Sequence, residues 1–406
     1  MLIVHAEQTD RGLVRPRNED TLLADPLHQV FAVFDGVGGQ AGGAEASKIA
    51  ANQLATVVGA HRDLLESFAA GHVSVHELAD LLETAIHQAS AAIQRYSREH
   101  PEFIGMATTA AVLLISGSHA FVAHVGDSRV YLLRQGVLHP LTEDHRVMSD
   151  LRRRGRAPEG HIGQVFQDAL TRALGVMNSA RADLLDLETL PGDRFVLCTD
   201  GVHGVLEDET LQSLLAAKEP EDAVSRVIQA VHEDGAPDNA SLVVVDVRDD
   251  DAAERAQRVR RQLEALHGVT VFRYLPFADL VRVAGIASER ELKAGEDVFL
   301  EGELGESLFV ILSGRASVLK SGVEIARLVP GGHFGEMSLI ERSPRTATVR
   351  AMTPLSLLVI ERSNFFALLG EDATAVKLLW GLVRMMNSRL RATSDELTAL
   401  KVTRLL

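Results

Sequence analysis

In 406 residues the chain has one cysteine, Cys198, and one tryptophan, Trp380, and aromatic side chains make up only 4% of it. A single cysteine excludes an internal disulfide and suits a reducing compartment, so a cytoplasmic location is expected. Cys198 sits inside an apolar run and reads as a buried, inert thiol rather than a nucleophile. Long hydrophobic stretches are missing too. The apolar run Thr109–Ile115 falls far short of the roughly 20 residues that span a bilayer, and the opening residues lack the basic-then-apolar pattern of a secretory leader. No membrane association is expected. Positive charge is in deficit, with 41 Lys and Arg against 56 Asp and Glu and a formal net charge of -15. A nucleic-acid partner is therefore excluded as the main one, because phosphate backbones are held by clustered cations. What is present, 46% hydrophobic and 24% charged residues, is the composition of a folded chain long enough for two or three domains.

The fold class expected is α+β. Over residues 1–247, short apolar runs alternate with long amphipathic stretches. Phe31–Phe34 reads as a buried strand entering the turn Asp35-Gly36-Val37-Gly38-Gly39, and Ala44–Val58 and Val75–Arg98 have helical periodicity. Strands at Thr109–Ile115, His119–Val125 and Arg129–Arg134 are joined by connections so short that the neighbours must be antiparallel. Further strands are expected at Arg194–Thr199 and Ala240–Val247, with helices at Asp208–Ala217 and Pro220–Glu233 between them. An acidic run, Asp249-Asp250-Asp251, opens a charged helical linker over 248–274. From 275 to 406 the expectation is a small β-roll punctuated by glycines, closed by the long helix Asp372–Leu400.

Aspartates gather where the predicted strands end. The motifs are Arg15-Pro16-Arg17-Asn18-Glu19-Asp20, Asp35-Gly36, Gly126-Asp127-Ser128-Arg129, Asp200-Gly201 and Pro237-Asp238-Asn239. One Asp-Gly pair alone is an ordinary turn. Five such carboxylate positions with almost no histidine or thiol beside them make a hard-oxygen donor set, which suits Mg2+ or Mn2+ rather than Zn2+. Two divalent ions held roughly 3.5–4 Å apart need a bridging carboxylate and make a shared water acidic enough to attack. Arg15 brings a fork of donors that matches phosphate oxygens.

In order and wording these motifs resemble the type 2C, metal-dependent family of serine/threonine protein phosphatases. The resemblance covers residues 1–247, and further matches lie at 107–112, 141–145 and 170–175. It implies a four-layer αββα sandwich of two antiparallel sheets with the metals at one end. It also implies that Asp35 bridges two Mn2+ or Mg2+ ions, that Asp200 and Asp238 complete one of them and the Gly36 carbonyl the other, and that Arg15 binds phosphate. Glu19 and Asp20 then hold metal-bound waters, and Asp127 ligates a third, weaker ion. The substrates the resemblance implies are phosphoserine and phosphothreonine on proteins, attacked by a metal-bridging water. Some members carry a histidine after the Asp-Gly pair; here Val37 stands there, as in much of the bacterial branch, and metal-bound water is the expected proton donor.

In the second half, Gly331–Val349 joins a Gly335-Glu336-Met337-Ser338 turn to Arg345, a pairing of free backbone N–H groups with a guanidinium that suits a buried phosphodiester. A plain Glu336–Arg345 ion pair is the alternative. The stretch resembles the phosphate cassette of cyclic-nucleotide-binding domains over about 275–400. By that match Arg345 holds the cyclic phosphate, Glu336 the ribose hydroxyl, Gly335, Met337 and Ser338 offer backbone contacts, and Thr346 bonds the phosphate or a guanine edge, with cAMP or cGMP as ligand. On the final helix Val376, Leu379, Val383, Met386, Leu390, Thr393, Leu397 and Leu400 form a heptad seam, which predicts a homodimer through parallel helices; the alternative lays the helix on its own β-roll through Leu378 and Trp380. Two other functions fit the same residues: a nucleotide sensor whose first domain only binds phosphoproteins, and a metal-dependent phosphodiesterase.

Overall fold

The computed structural model describes residues 1–38, 42–153, 169–176, 180–248, 252–369 and 372–405, so Gly39 and Asp249–Asp251 of the sequence motifs lie outside the described residues. Two compact units divide at 253/254. The strands of the first are β1 (Leu2–Asp10), β2 (Thr21–Asp25), β3 (Val30–Phe34), β4 (Gly36–Val37), β5 (Ala107–Thr108), β6 (Ala110–Ser116), β7 (His119–Val125), β8 (Arg129–Arg134), β9 (Val137–Pro140), β10 (Asp183–Glu188), β11 (Arg194–Cys198) and β12 (Ala240–Arg248). Ten of them build two five-stranded antiparallel sheets, β1-β12-β11-β8-β9 and β10-β7-β6-β3-β2, and β4 pairs with β5.

The central strands are apolar on both faces because both are covered. Alternate residues of a strand point to opposite sides. Val30, Ala32, Phe34, Ala110, Val112 and Leu114 pack with the helices Gly42–Ala60 and Val75–Glu99. On the other sheet Val196, Cys198, Leu242 and Val244 pack with the helix Pro220–Glu233. The intervening residues, Phe31, Val33, Phe195 and Val243 among them, are fully buried as well, and β12 lies against β2 and β3 as β11 lies against β6. Two sheets face to face with a helical layer outside each give the four-layer αββα sandwich. Cys198 is fully buried, and burial pushes its thiol up to about 12, so it is inert.

Register decides where the acids go. Ala240, the first residue of β12, faces Asp10, the last of β1. Cys198, the last of β11, faces Arg129, the first of β8. In the other sheet Phe34 at the end of β3 faces Thr21 at the start of β2, and Val125 at the end of β7 faces Ala110 at the start of β6. Each sheet therefore releases its motif-bearing loops, 11–20 with 199–200 and 238–239 and 35–38 with 126–128, from one rim. Gly126 turns the chain there at φ +106°, a conformation open to glycine, and a Cβ on it would strike Thr109.

The second unit holds β13 (Ala287–Leu292), β14 (Asp297–Phe299), β15 (Ser307–Ser313), β16 (Ala316–Lys320), β17 (Val323–Leu328), β18 (His333–Phe334), β19 (Thr348–Ala351) and β20 (Leu355–Glu361). They form two antiparallel four-stranded sheets, β13-β20-β15-β18 and β14-β19-β16-β17. Phe309, Ile311, Phe334, Val349 and Leu357 fill one core. Leu308, Val310, Leu358 and Ile360 face helices on the other side, joined by Ala265 and Leu266 at the end of the helix Ala253–Gly268, the segment expected as a linker.

The terminal helix, Asp372–Leu405, is pinned by buried Asp279 on the helix Phe277–Gly285, which accepts from Thr374 Oγ1 and Lys377 Nζ, each at 2.8 Å. Leu378, Leu382 and Met385 are buried on the unit's own core. Trp380, which the alternative reading lays on the β-roll with Leu378, is 63% exposed. At about 100° per residue the two lie roughly 200° apart around the helix, so one core cannot take both. Val376, Leu379, Val383, Met386 and Leu390 of the heptad seam are exposed; the side chains of Thr393, Leu397 and Leu400 lie outside the described residues. Among the described residues no helix is long and apolar enough to cross a membrane.

Candidate functional site

At the rim of the first unit a cavity of about 1080 Å3 is lined by Arg15, Glu19, Asp35, Gly36, Asp127, Asp200 and Asp238, together with Arg17, Arg172 and Val37. Six of the seven residues expected around the metals therefore share one cleft with Arg15. The seventh, Asp20, is partly buried; its Oδ2 accepts from Thr199 Oγ1 at 2.9 Å.

Each acid is fixed through the backbone that follows a strand. Asp35 leaves β3 with its N–H donated to Thr109 Oγ1 at 2.9 Å and its carbonyl accepting from Thr108 Oγ1 at 2.8 Å and from the Thr109 N–H at 2.9 Å. Asp200 opens the short helix Asp200–His203 directly after β11. The Asp127 carbonyl faces His203 Nε2 at 2.8 Å. Arg15 Nη2 donates to Asp238 Oδ2 at 2.6 Å.

The motif Pro237-Asp238-Asn239 also hid a residue whose work the sequence did not reveal. Asn239 is buried; its Nδ2 donates to the carbonyls of Arg11 and Arg17 at 2.8 and 2.9 Å, and its Oδ1 accepts from the Glu19 N–H at 2.9 Å. One amide thus ties the Arg15–Asp20 loop to the Asp238 loop. Arg146 is the second omission. Its Nε and Nη2 lie 2.7 and 2.6 Å from Asp127 Oδ2, and Nη2 lies 3.1 Å from Asp200 Oδ2. Nothing in the stretch around Arg146 marks it as part of an acidic site; it follows the matched motif Leu141–His145 without belonging to it.

So many carboxylates in one place resist ionising together. Burial first, and then Asp20, Asp200, Asp127 and Asp238, hold Asp35 well above the usual carboxylate range. Burial raises Asp20 to about 7 against the pull of the Ser241 and Thr199 hydroxyls, and burial with Asp200 raises Asp127 to about 6. Asp20 Oδ1 is buried without a hydrogen-bond partner among the described residues.

The donor set fits small divalent cations. It is all oxygen, its negative charge exceeds what Arg15 and Arg146 offset, and it includes an orphaned carboxylate oxygen. Among the described residues no three His, Cys, Asp or Glu side chains enclose one ion by themselves. That suits Mg2+ and its like, which keep several waters and take only one or two carboxylates each.

The second unit has its own cavity, about 230 Å3, lined by Phe299, Phe334, the segment Gly335–Ser338 and Ser343–Ala347. All six residues named for nucleotide binding, Gly335, Glu336, Met337, Ser338, Arg345 and Thr346, meet there. Arg345 is buried; it donates to Ser338 Oγ at 2.9 Å and the Ser307 carbonyl at 3.0 Å, and its guanidinium lies 4.1 Å from the Phe299 ring centroid. These hydrogen-bond partners are neutral, while Glu336, Glu303 and Glu361 act on its charge from further away. Burial lowers the pKa of Arg345 against the opposing pull of Glu336, Glu303 and Glu361.

An αββα sandwich with an acidic cleft at one rim defines the class. The Protein phosphatase 2C family model matches residues 4–240, and the chain belongs to that family. A Cyclic nucleotide-binding domain model matches residues 289–372. Serine/threonine protein phosphatase PstP of Mycobacterium tuberculosis is 34% identical over 252 residues, which are 62% of this chain and 46% of that protein. This chain thus spans about half the length of that relative. Serine/threonine phosphatase stp of Listeria monocytogenes is 30% identical over 249 residues, 60% of this chain and 96% of that one. The catalytic domain of PstP, solved in complex with two manganese ions, superposes with a TM-score of 0.52 at 32% identity, covering 61% of this chain and 99% of that one.

The raised carboxylates set a pH dependence. In the folded, metal-free chain Asp20 and Asp127 keep protons that the unfolded chain releases near pH 4, so stability present at low pH is lost as pH rises toward 7. With chelator present, the thermal midpoint of the first unit is expected to fall between pH 5 and pH 8. Asp20→Asn should flatten that slope and raise the midpoint at pH 8 by several degrees, since about 1 kcal/mol moves a domain of this size by about 2–4 °C. A wild-type midpoint that is level or climbs with pH contradicts the account.

Proposed function

We propose that the first unit hydrolyses phosphoserine and phosphothreonine on proteins with two Mn2+ or Mg2+ ions, and that a cyclic nucleotide bound by the second unit regulates it. The observation that carries the first half is the gathering of Asp35, Asp127, Asp200, Asp238 and Glu19 with Arg15 in one cleft. Asp35, the Gly36 carbonyl, Asp200 and Asp238 would hold the two ions, and Glu19 and Asp20 would hold their waters. When bound, such ions supply a nucleophile at neutral pH and offset the charge of the phosphate.

The chain's own residues do the rest. Arg15 is exposed and tethered to Asp238, so its fork stands ready at the cleft mouth for phosphate oxygens. Thr108 and Thr109 fix the backbone of Asp35, which keeps its carboxylate aimed before any ligand arrives. Val37 is half exposed at the mouth and has no proton to give. With manganese, the purified chain should release phosphate from a phosphothreonine peptide, and Asp35→Asn or Asp238→Asn should slow it at least about a hundredfold while leaving the thermal transition in place. Wild-type protein that binds the peptide but never turns it over would favour a phosphoprotein-binding role, and release of 5′-nucleotide from cAMP or cGMP would favour a phosphodiesterase. A rate unchanged by either nucleotide sinks the regulatory half.

Support for the nucleotide site is the buried Arg345, which has neutral hydrogen-bond partners and lines a cavity of small-molecule size. In titration calorimetry, Arg345→Ala should weaken binding of cAMP or cGMP at least about thirtyfold, the equivalent of about 2 kcal/mol for a truncated buried charge contact. Equal affinities for wild type and variant would remove the assignment.

A homodimer through the terminal helix is supported by its two faces, one committed to its own core and the other bearing Val376, Leu379, Val383, Met386 and Leu390 in the open. Light scattering should give twice the chain mass for wild type and a single chain for Val383→Asp. A monomeric wild type at tens of micromolar would end the idea.

A further inference from the structure

Arg146 occupies a place that a metal-ligand set leaves for a cation. We propose that its guanidinium is a built-in cation of the cleft, bridging Asp127 and Asp200 in place of a third divalent ion, so that the chain takes up two ions rather than three. The inference rests on the two-ion proposal above and concerns what this chain does differently with Asp127.

The backbone around Arg146 is held on the loop that carries Asp127. Asp144 takes a two-pronged contact from Arg129, at 2.7 and 2.8 Å. The buried His145 donates its N–H to the Gly126 carbonyl at 2.7 Å, and its Nδ1 accepts from the Gly126 N–H at 3.0 Å. Two residues of tight pairing thus deliver the next side chain, Arg146, onto the neighbour of Gly126. There it reaches both acids at once: Nε and Nη2 stand 2.7 and 2.6 Å from Asp127 Oδ2, and Nη2 stands 3.1 Å from Asp200 Oδ2.

A planar fork spanning two carboxylates does the electrostatic work of a bridging ion, and it never leaves. An ion seeking Asp127 has to displace it from the same Oδ2 atom while being repelled by its charge. Among the described residues Arg146 is not part of the cavity lining, whereas Arg15 is. The two arginines therefore divide the work: Arg15 faces the substrate side, and Arg146 neutralises acids from behind.

The test is a count of bound manganese. Metal-free full-length chain is titrated with MnCl2 while the free aqueous ion is followed by electron paramagnetic resonance. Wild type is expected to bind two ions per chain, and Arg146→Ala three, the added one being weaker. Arg146→Gln, which keeps bulk and loses charge, should show the same gain, and it covers the case in which the alanine variant does not fold. Adding Asp127→Asn to either variant should return the count to two. Equal counts in wild type and both Arg146 variants overturn the inference, as does a gained ion that survives Asp127→Asn. Wild type that binds no manganese removes the two-ion proposal and this inference together.

Discussion

Mutual repulsion among carboxylates that the backbone will not let apart is the constraint on which the first unit is built. Asp35, Asp127, Asp200 and Asp238 are each attached to a strand end or to a residue next to one, and the strands are locked by antiparallel pairing. The acids cannot relax by moving away from one another. Asp35 and Asp127 respond by keeping protons, and the set draws in Arg15 and Arg146. Charge concentration is costly to the fold and useful to chemistry for the same reason: the energy is relieved only when something positive arrives.

The second unit poses the opposite problem in a smaller space. There a single guanidinium is buried among carbonyl, hydroxyl and aromatic partners. Gly335, at φ +81°, lets the backbone pass close under that side chain, because a Cβ would collide with the Arg345 guanidinium. The chain thus carries one cleft crowded with negative charge and one pocket built round a buried positive charge. The buried Asp279, which gathers Thr374 and Lys377, fixes the start of the helix that closes the second unit.

The central strands were legible in the sequence because their residues are apolar on both faces, and Thr109–Ile115 and His119–Val125 match β6 and β7 to within a residue. The αββα layering followed from family resemblance rather than from periodicity. β1, β9 and β10 gave little local signal. They end or flank sheets and are only partly buried, so polar residues such as Glu7, Gln8 and Asp186 are tolerated, and pairing with β12, β8 and β7 is what makes them strands. In the cleft, residues whose own side chains are acidic could be named in advance. Asn239 and Arg146 could not, since their importance lies in which distant atoms they reach: Asn239 reaches back 228 positions to Arg11. Trp380 shows the limit of reading a helix by its large residues, for the face that turns inward is set by Leu378, Leu382 and Met385.

The pairing of β1 with β12 matches Leu2 to Arg248 at one extreme and Asp10 to Ala240 at the other. Since the rim lies at the Asp10 side, the first unit's chain enters and leaves at the opposite extreme. Such an arrangement makes the unit modular: chain can be joined at residue 248 without editing a loop that shapes the chemistry.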